Sequence, residues 1–214
     1  MKRNTFTLQA MFMALLAVAL ICMPVSADQE AIEIEVAEVI EHAEDFMTYA
    51  VIIQDETRII RNDESVDQEI RDIAAAVHRA GDELELIAKD MLDDAEEIGR
   101  LAVDPIGNRA AIDHLLDHIK EDLLEYKSIL DAQHDAIHAL EGGVPENLQI
   151  HADAIHDTAH TAERDVRHMN RHITALSTAL DAAAAPVSQP AESPGFGVLA
   201  ALAGIAAVAY ARRS

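Results

Sequence analysis

Cysteine and aromatic residues are scarce in this chain of 214 residues. Its one cysteine, Cys22, lies in an apolar stretch near the N-terminus, and the rest of the chain has none. A segment without cysteine forms neither disulfides nor thiolate metal sites, so its fold must depend on packing alone. Aromatic residues make up only 3% of the chain. A core therefore has to be built mainly from aliphatic side chains.

Positive charge is also in short supply, with 16 Lys and Arg against 39 Asp and Glu, a formal net charge of −23. Four of the basic residues, and none of the acidic ones, lie in residues 1–27 and 194–214. The part between them therefore carries 12 basic and 39 acidic side chains, a formal charge of −27. Nucleic-acid binding needs a basic face, so we exclude nucleic acid as a partner. Such a surface attracts cations and stays soluble in high salt.

Motifs of catalysis are lacking as well. The chain has no Gly-rich phosphate loop, no evident pairing of a nucleophile with a base, and no strand-rich segment to hold one. Neither the His-Glu-x-x-His motif of zinc proteases nor the Glu-x-x-His motif of di-iron bundles occurs. We therefore expect no enzymatic activity.

The N-terminal segment has the pattern of a secretory leader. Lys2 and Arg3 precede an apolar run over residues 10–23, and small residues follow at Ser26 and Ala27. This order predicts a signal peptide over residues 1–27. A permanent membrane anchor is the alternative, although the run is short for a membrane span.

The C-terminal segment has three parts. An Ala/Pro/Ser linker over residues 182–193 comes first, followed by Pro194, Gly195 and Phe196. An apolar stretch and two arginines then complete residues 194–214. Positive charge after an apolar segment favours a cytoplasmic C-terminus and a domain outside the cell.

This ending resembles the PGF-CTERM sorting signal of archaeal surface proteins. The resemblance implies recognition by an archaeosortase-like processing enzyme and removal of the tail near Pro194, Gly195 and Phe196. It also implies attachment of the new C-terminus to a membrane lipid. A plain single-pass anchor is the alternative, although the apolar stretch is short for a transmembrane helix of about 20 residues. We therefore expect the protein at the extracellular face of the cell membrane.

Between the ends, residues 28–181 show a continuous helical pattern. Apolar residues recur at alternating steps of four and three, which predicts four helices at about 29–61, 65–101, 105–141 and 145–181. A mean step of 3.5 residues indicates coiled-coil-like seams, and short connections make consecutive helices antiparallel. The sequence predicts an all-α, antiparallel up-down-up-down four-helix bundle. Paired hairpins or a homodimer would use the same pattern.

The predicted seams contain three polar residues, Thr57, Asp94 and Gln133. We expect them to fix the register of the helices rather than perform chemistry. In the second helix the predicted seam also includes Ile73 and Ile87.

The breaks between the segments contain helix-capping residues. Asp63 or Ser65 is the expected N-cap of the second helix. Asp104 and Pro105 are expected at the N-cap and first position of the third helix, and Pro145 at the start of the fourth.

One eight-residue phrase occurs twice, DAQHDAIH at residues 131–138 and DAIHDTAH at residues 153–160. On a helix, the two histidines of each copy are i,i+4 neighbours and can chelate one metal ion. The aspartates of each copy can act as ligands or orient the imidazoles. The candidate metal ligands are therefore His134, His138, His156, His160, Asp131, Asp135, Asp153 and Asp157.

The break between the two copies turns the chain back, so the copies should lie level in a hairpin. The seam pattern places the histidines on the flank of each helix and not in the interior. We expect His134 to face His156 across the groove, with His138 and His160 one turn away in opposite directions. On the opposite flank, apolar residues of the third helix would face polar residues of the fourth.

Nitrogen and carboxylate donors without thiolate suit Zn²⁺, Ni²⁺, Cu²⁺ or Co²⁺. The alternative for this cluster is a solvated polar flank. Two further i,i+4 pairs lack a facing partner phrase, and three histidines are isolated and receive no role. These are His114/His118 and His168/His172, and His42, His78 and His151.

Two functions fit these observations. The first is a non-catalytic, membrane-anchored acidic surface protein that serves as a structural or interaction module of the cell envelope. The second is an extracellular transition-metal-binding protein that buffers or senses metal through the paired His/Asp motifs. Neither a protein partner nor a metal ion is identified by the sequence.

Overall fold

The computed structural model describes residues 27–185. It contains four long helices, α1 (Ala27–Asn62), α2 (Gln68–Leu101), α3 (Arg109–Gly143) and α4 (Gln149–Ala184). A 3₁₀ turn, Glu146–Leu148, precedes α4. The predicted sorting signal, and the predicted leader before Ala27, lie outside the described residues. Within residues 27–185, none of the helices is long and apolar enough to span a membrane.

The four helices form a closed antiparallel ring. Each helix packs on the next in the chain, and α1 also packs on α4. At one end, Gln29 of α1 donates to the carbonyl of Ala102 after α2, at 3.0 Å. Arg109 at the start of α3 likewise pairs with Asp181 near the end of α4, at 2.8 Å. The predicted all-α four-helix bundle is confirmed.

Among the described residues the core is largely aliphatic, with one aromatic pair at its centre. Phe46 of α1 and Tyr126 of α3 are both 0% exposed, and their ring centroids lie 4.7 Å apart. The Tyr126 hydroxyl donates to the carbonyl oxygen of Phe46 at 3.2 Å. Because α1 and α3 are diagonal partners, this pair joins opposite corners of the bundle at its centre.

The seam of α2 differs from the predicted one. Ile73, Ile87 and Asp94 lie only half-buried on its flank, so the prediction is wrong at these positions. The fully buried positions are small residues one step further along, at Ala74, Gly81, Ala88 and Ala95. With Val77, Leu84, Met91 and Ile98 they complete a regular alternation of three and four.

The small residues in the seam of α2 allow α1 to approach closely. A Cβ atom added to Gly81 would lie 2.9 Å from Cγ of Gln54 and 3.5 Å from the carbonyl oxygen of Ala50. The α1–α2 contact is accordingly the most extensive in the bundle, and the α3–α4 contact is the least extensive. The bundle therefore has one tight side and one loose side.

Helices α2, α3 and α4 begin three or four residues later than predicted. The N-cap residues of α2 and α3 are Asp67 and Asn108, so the caps predicted at Asp63, Ser65 and Asp104 are wrong. The Asp63 carboxylate instead accepts from the backbone N–H of Ser65 at 2.8 Å. Asp104 accepts from the N–H of Gly107 at 3.0 Å. Both aspartates stabilise the loop rather than the helix that follows it.

Candidate functional site

The histidines of both repeated phrases meet in the loose groove between α3 and α4. The ring centroids of His138 and His156 lie 4.9 Å apart across the groove, and those of His134 and His160 lie 6.1 Å apart. Within each helix the i,i+4 rings are 4.6 Å and 4.4 Å apart. The structure thus brings all four predicted histidines into one cluster.

The pairing across the groove differs from the prediction. His134 lies opposite His160, and His138 lies opposite His156, whereas we expected His134 to face His156. Helix α3 continues to Gly143 and a 3₁₀ turn precedes α4, so the hairpin turns later in the chain than predicted. This delay shifts α4 by about one helical turn relative to α3.

Three of the imidazoles are placed to share one ion. His138, His156 and His160 can each offer a ligand atom, and these atoms lie within 4.8 Å of one another. Two nitrogens bound to one tetrahedral zinc ion are about 3.4 Å apart. Side-chain rotations that move these ligand atoms by about an ångström would therefore form a site with three nitrogen ligands.

The closest approach in the cluster is between ring nitrogens. Nε2 of His156 and Nε2 of His160 are 3.0 Å apart. Two nitrogen lone pairs at this distance repel each other unless a proton or a metal cation lies between them. A proton on one of the two nitrogens makes this contact a hydrogen bond, and a metal ion is the other cation that can bridge them.

Glutamates contact the opposite edges of the same rings. Glu141 contacts Nδ1 of His138 at 3.0 Å with one oxygen and Nδ1 of His156 at 3.3 Å with the other. Glu163 lies 3.5 Å from Nδ1 of His160. A carboxylate that accepts a hydrogen bond from Nδ1–H fixes the tautomer and leaves Nε2 unprotonated for a metal ion. His138 makes this hydrogen bond with Glu141, and Nδ1 of His156 and of His160 each lies within 3.5 Å of a glutamate oxygen.

His134 completes the cluster at its edge. Its ring packs against His138 and His160, and its side chain is exposed. It is absent from the three-residue ligand group in the described part of the chain. His134 is therefore available as a fourth nitrogen only after a change of rotamer.

The four predicted aspartates do not join the ligand group. Asp131 pairs with Lys127 on its own helix, and Asp153 accepts from Gln149 at 2.8 Å. Asp157 is 3.7 Å from Nδ1 of His156 but is 86% exposed, and Asp135 is exposed. Their positions face solvent because the seam places the histidines, and not the aspartates, beside the groove.

The two glutamates were missed as partners of the histidines. Glu141 follows His138 by three residues, and Glu163 follows His160 by three residues. The repeated phrase is therefore eleven residues long, with the pattern Asp-x-x-His-Asp-x-x-His-x-x-Glu in both copies. This longer repeat was visible in the sequence and would have identified both carboxylates.

A separate ion pair joins α2 to α3. Nδ1 of His118 lies 2.5 Å from a carboxylate oxygen of Asp94 and 4.0 Å from Asp122. The hydrogen bond to Asp94, with the charge of Asp122, raises the pKa of His118 above its ordinary value. Burial raises the pKa of the Asp122 carboxyl. Ligand atoms of Asp94, His118 and Asp122 lie within 4.8 Å of one another, but the group has a single imidazole, and we interpret it as an ion pair.

We expect Asp94→Asn to lower the pKa of His118 toward the ordinary value of about 6.5, because the charged acceptor is lost. A raised pKa means that the ion pair stabilises the fold fully below about pH 6.5 and loses this contribution as the pH rises through the folded-state pKa. NMR titration of the His118 ring measures the shift. Asp117→Asn is the control, because Asp117 is on the same helix and pairs with Lys120. An unchanged pKa in Asp94→Asn would contradict the assignment.

Comparison with known proteins identifies the C-terminal segment. A model of the PGF-CTERM motif matches residues 193–214, which include the predicted Pro194, Gly195 and Phe196. No curated protein and no solved structure matches the chain. The predicted sorting signal is confirmed, and with it the predicted location. The chain carries the archaeosortase C-terminal sorting signal, which marks proteins that are exported and anchored to the cell surface of archaea.

Proposed function

We propose that the protein binds a transition-metal ion at the cell surface through the α3–α4 histidine cluster. The observation that carries this proposal is the arrangement of His138, His156 and His160, whose Nδ1 atoms all contact glutamates. The ion pairs of His118 and His151 also use Nδ1, but here three imidazoles from two helices share one ligand group. Carboxylate–histidine pairs are typical of metal ligands.

The donor set decides the class of metal. Three neutral imidazole nitrogens suit Zn²⁺, Ni²⁺, Cu²⁺ and Co²⁺. Ca²⁺ and Mg²⁺ prefer sets of oxygen ligands, so they fit this cluster poorly. Zn²⁺ accepts three nitrogens and one open position without further ligands from the chain.

The surroundings favour buffering or sensing over catalysis. A catalytic metal needs a shaped cavity that excludes water. His138 and His160 are instead exposed on an open groove. The strongly acidic surface raises the local concentration of cations near the groove. We therefore propose a non-catalytic metal-binding protein.

Metal titration of the purified full chain tests this function. The protein is kept in a mild detergent because of its apolar C-terminal stretch. At about pH 7.5 we expect Zn²⁺ to bind with micromolar or tighter affinity, and at about pH 5 we expect much weaker binding, because protons compete for imidazole nitrogens. His138→Ala should weaken the binding at least about tenfold. Calorimetry measures both effects.

His114→Ala is the matched control for this titration. His114 is an exposed histidine of the same helix, and it belongs to no ligand group among residues 27–185. Equal effects of the two substitutions would mean that binding is nonspecific. Absence of binding to the unaltered chain would reject the metal function.

The bundle also fits the role of a spacer or interaction module. Its helices of 34 to 36 residues give a rod roughly 50 Å long. This role would remain as the proposal if the metal titration failed.

A further inference from the structure

A second cluster of histidines and carboxylates lies between α1 and α4. His42 of α1 approaches His172 and His168 of α4, with ring centroids 5.5 Å and 6.1 Å away. Glu38 precedes His42 by four residues and therefore lies on the same face of α1. Ligand atoms of Glu38, His42 and His172 fall within 4.8 Å of one another.

His42 has a buried nitrogen without a partner. Its Nδ1 atom is inaccessible to solvent and forms no hydrogen bond. Buried polar atoms are nearly always satisfied, so an exception needs a physical reason. Burial lowers the pKa of His42, against an opposing effect of the Asp165 charge. A neutral ring with a free nitrogen is the form that binds a metal ion.

His172 is oriented like the ligands of the first cluster. Its Nδ1 contacts a carboxylate oxygen of Glu35 at 2.8 Å, and its Nε2 faces Glu38 at 4.0 Å. The Glu35 carboxylate therefore holds the ring by one nitrogen and directs the other toward the Glu38 side of the cluster. His172 and Glu38 belong to different helices, so the arrangement depends on the fold.

The inner side of the cluster has a fixed carboxylate. Asp165 is buried and accepts a hydrogen bond from the Tyr49 hydroxyl at 2.7 Å. Its other oxygen lies 3.5 Å from Arg164 and 3.9 Å from Nδ1 of His168. Ligand atoms of His42, Asp45 and Asp165 also lie within 4.8 Å of one another. His42 therefore has carboxylates on two sides.

We infer that Glu38, His42 and His172 form a second transition-metal site. Two imidazoles and one carboxylate suit Zn²⁺, Co²⁺ or Ni²⁺. The site uses the same donor chemistry as the proposed function but none of the same residues.

The two sites lie on different faces of α4. His156 and His160 are centred about twelve residues before His168 and His172, which corresponds to roughly 18 Å along the helix. One ion cannot bridge this distance. The full chain is therefore expected to bind two ions.

Zinc stoichiometry of the full chain in detergent tests the second site. We expect calorimetry to give two Zn²⁺ ions for the unaltered protein and one for His42→Ala/His172→Ala. Long-range ¹H–¹⁵N spectra of the histidine rings should show zinc-dependent shifts at His42 and His172, and those of His156 and His160 should persist in the variant. The single substitution His172→Gln, at a side chain 30% exposed, gives the same test with less disturbance of the core.

His151→Ala is the matched control. His151 also bridges α1 and α4, through an ion pair with Glu56, and belongs to no ligand group of the described residues. It should leave the stoichiometry at two. Failure of the proposed function alone would remove the shifts of His156 and His160 and leave those of His42 and His172. An unchanged stoichiometry in both His172 variants, or no zinc-dependent shift at His42, would overturn the second site.

Discussion

Replacement of both His156 and His160 by alanine is expected to weaken zinc binding at the α3–α4 cluster by at least about a hundredfold. The two residues supply two of the three imidazoles, and their Nε2 atoms are only 3.0 Å apart. The variant leaves His138 with Glu141 and the exposed His134, so the ligand group loses two of its three nitrogens. Competition of the full chain with a chromogenic zinc chelator measures the change in affinity.

The effect on binding can be separated from an effect on folding. His160 is exposed and His156 is partly buried, so neither substitution removes a core side chain. Circular dichroism should therefore show the same helix content as the unaltered chain. The α1–α4 cluster should still take its ion. If affinity at the α3–α4 cluster survives the double substitution, the histidine cluster is a solvated flank.

The largest effect on stability is expected from Phe46→Ala, at about 3–5 kcal/mol in the free energy of unfolding. Phe46 is 0% exposed, and its ring packs on Tyr126 at the centre of the bundle. The substitution leaves a cavity between diagonal helices in a core that has few other aromatic side chains. Unfolding in urea, followed by circular dichroism, measures the loss.

Leu124→Ala is the matched control for this experiment, because Leu124 is 69% exposed. A large apolar residue at the surface should contribute within about 0.5 kcal/mol. Comparable losses in the two variants would show that the Phe46–Tyr126 pair is not the centre of the core.

The four-helix architecture could be predicted because it follows from the periodic spacing of apolar residues along the sequence. Alternating steps of three and four fix which face of each helix is buried, whatever the details of the core. The exact seam of α2 could not be predicted, since Ile73 and Ala74, and Ile87 and Ala88, are apolar neighbours in the sequence. Hydrophobicity favours the isoleucines. The close approach of α1 favours the alanines, and this approach depends on the partner helix.

The histidines of the α3–α4 cluster could be predicted from the repeated phrase, and their cell-surface location from the C-terminal motif. Their pairing depended on the length of the turn before α4, which the sequence does not state. The α1–α4 cluster was missed because His42 is isolated in the sequence. Its partners come from a helix more than 100 residues later, and only the closed ring brings them together.

The position of the α3–α4 cluster on the loose side of the bundle connects metal binding to the stiffness of the bundle. These two helices have the least packing between them, yet Glu141 on α3 already touches an imidazole from each helix. A cation bound there would cross-link α3 and α4, which have the least extensive contact in the bundle. The stiffness of the rod outside the cell would then follow the trace-metal content of the surrounding medium.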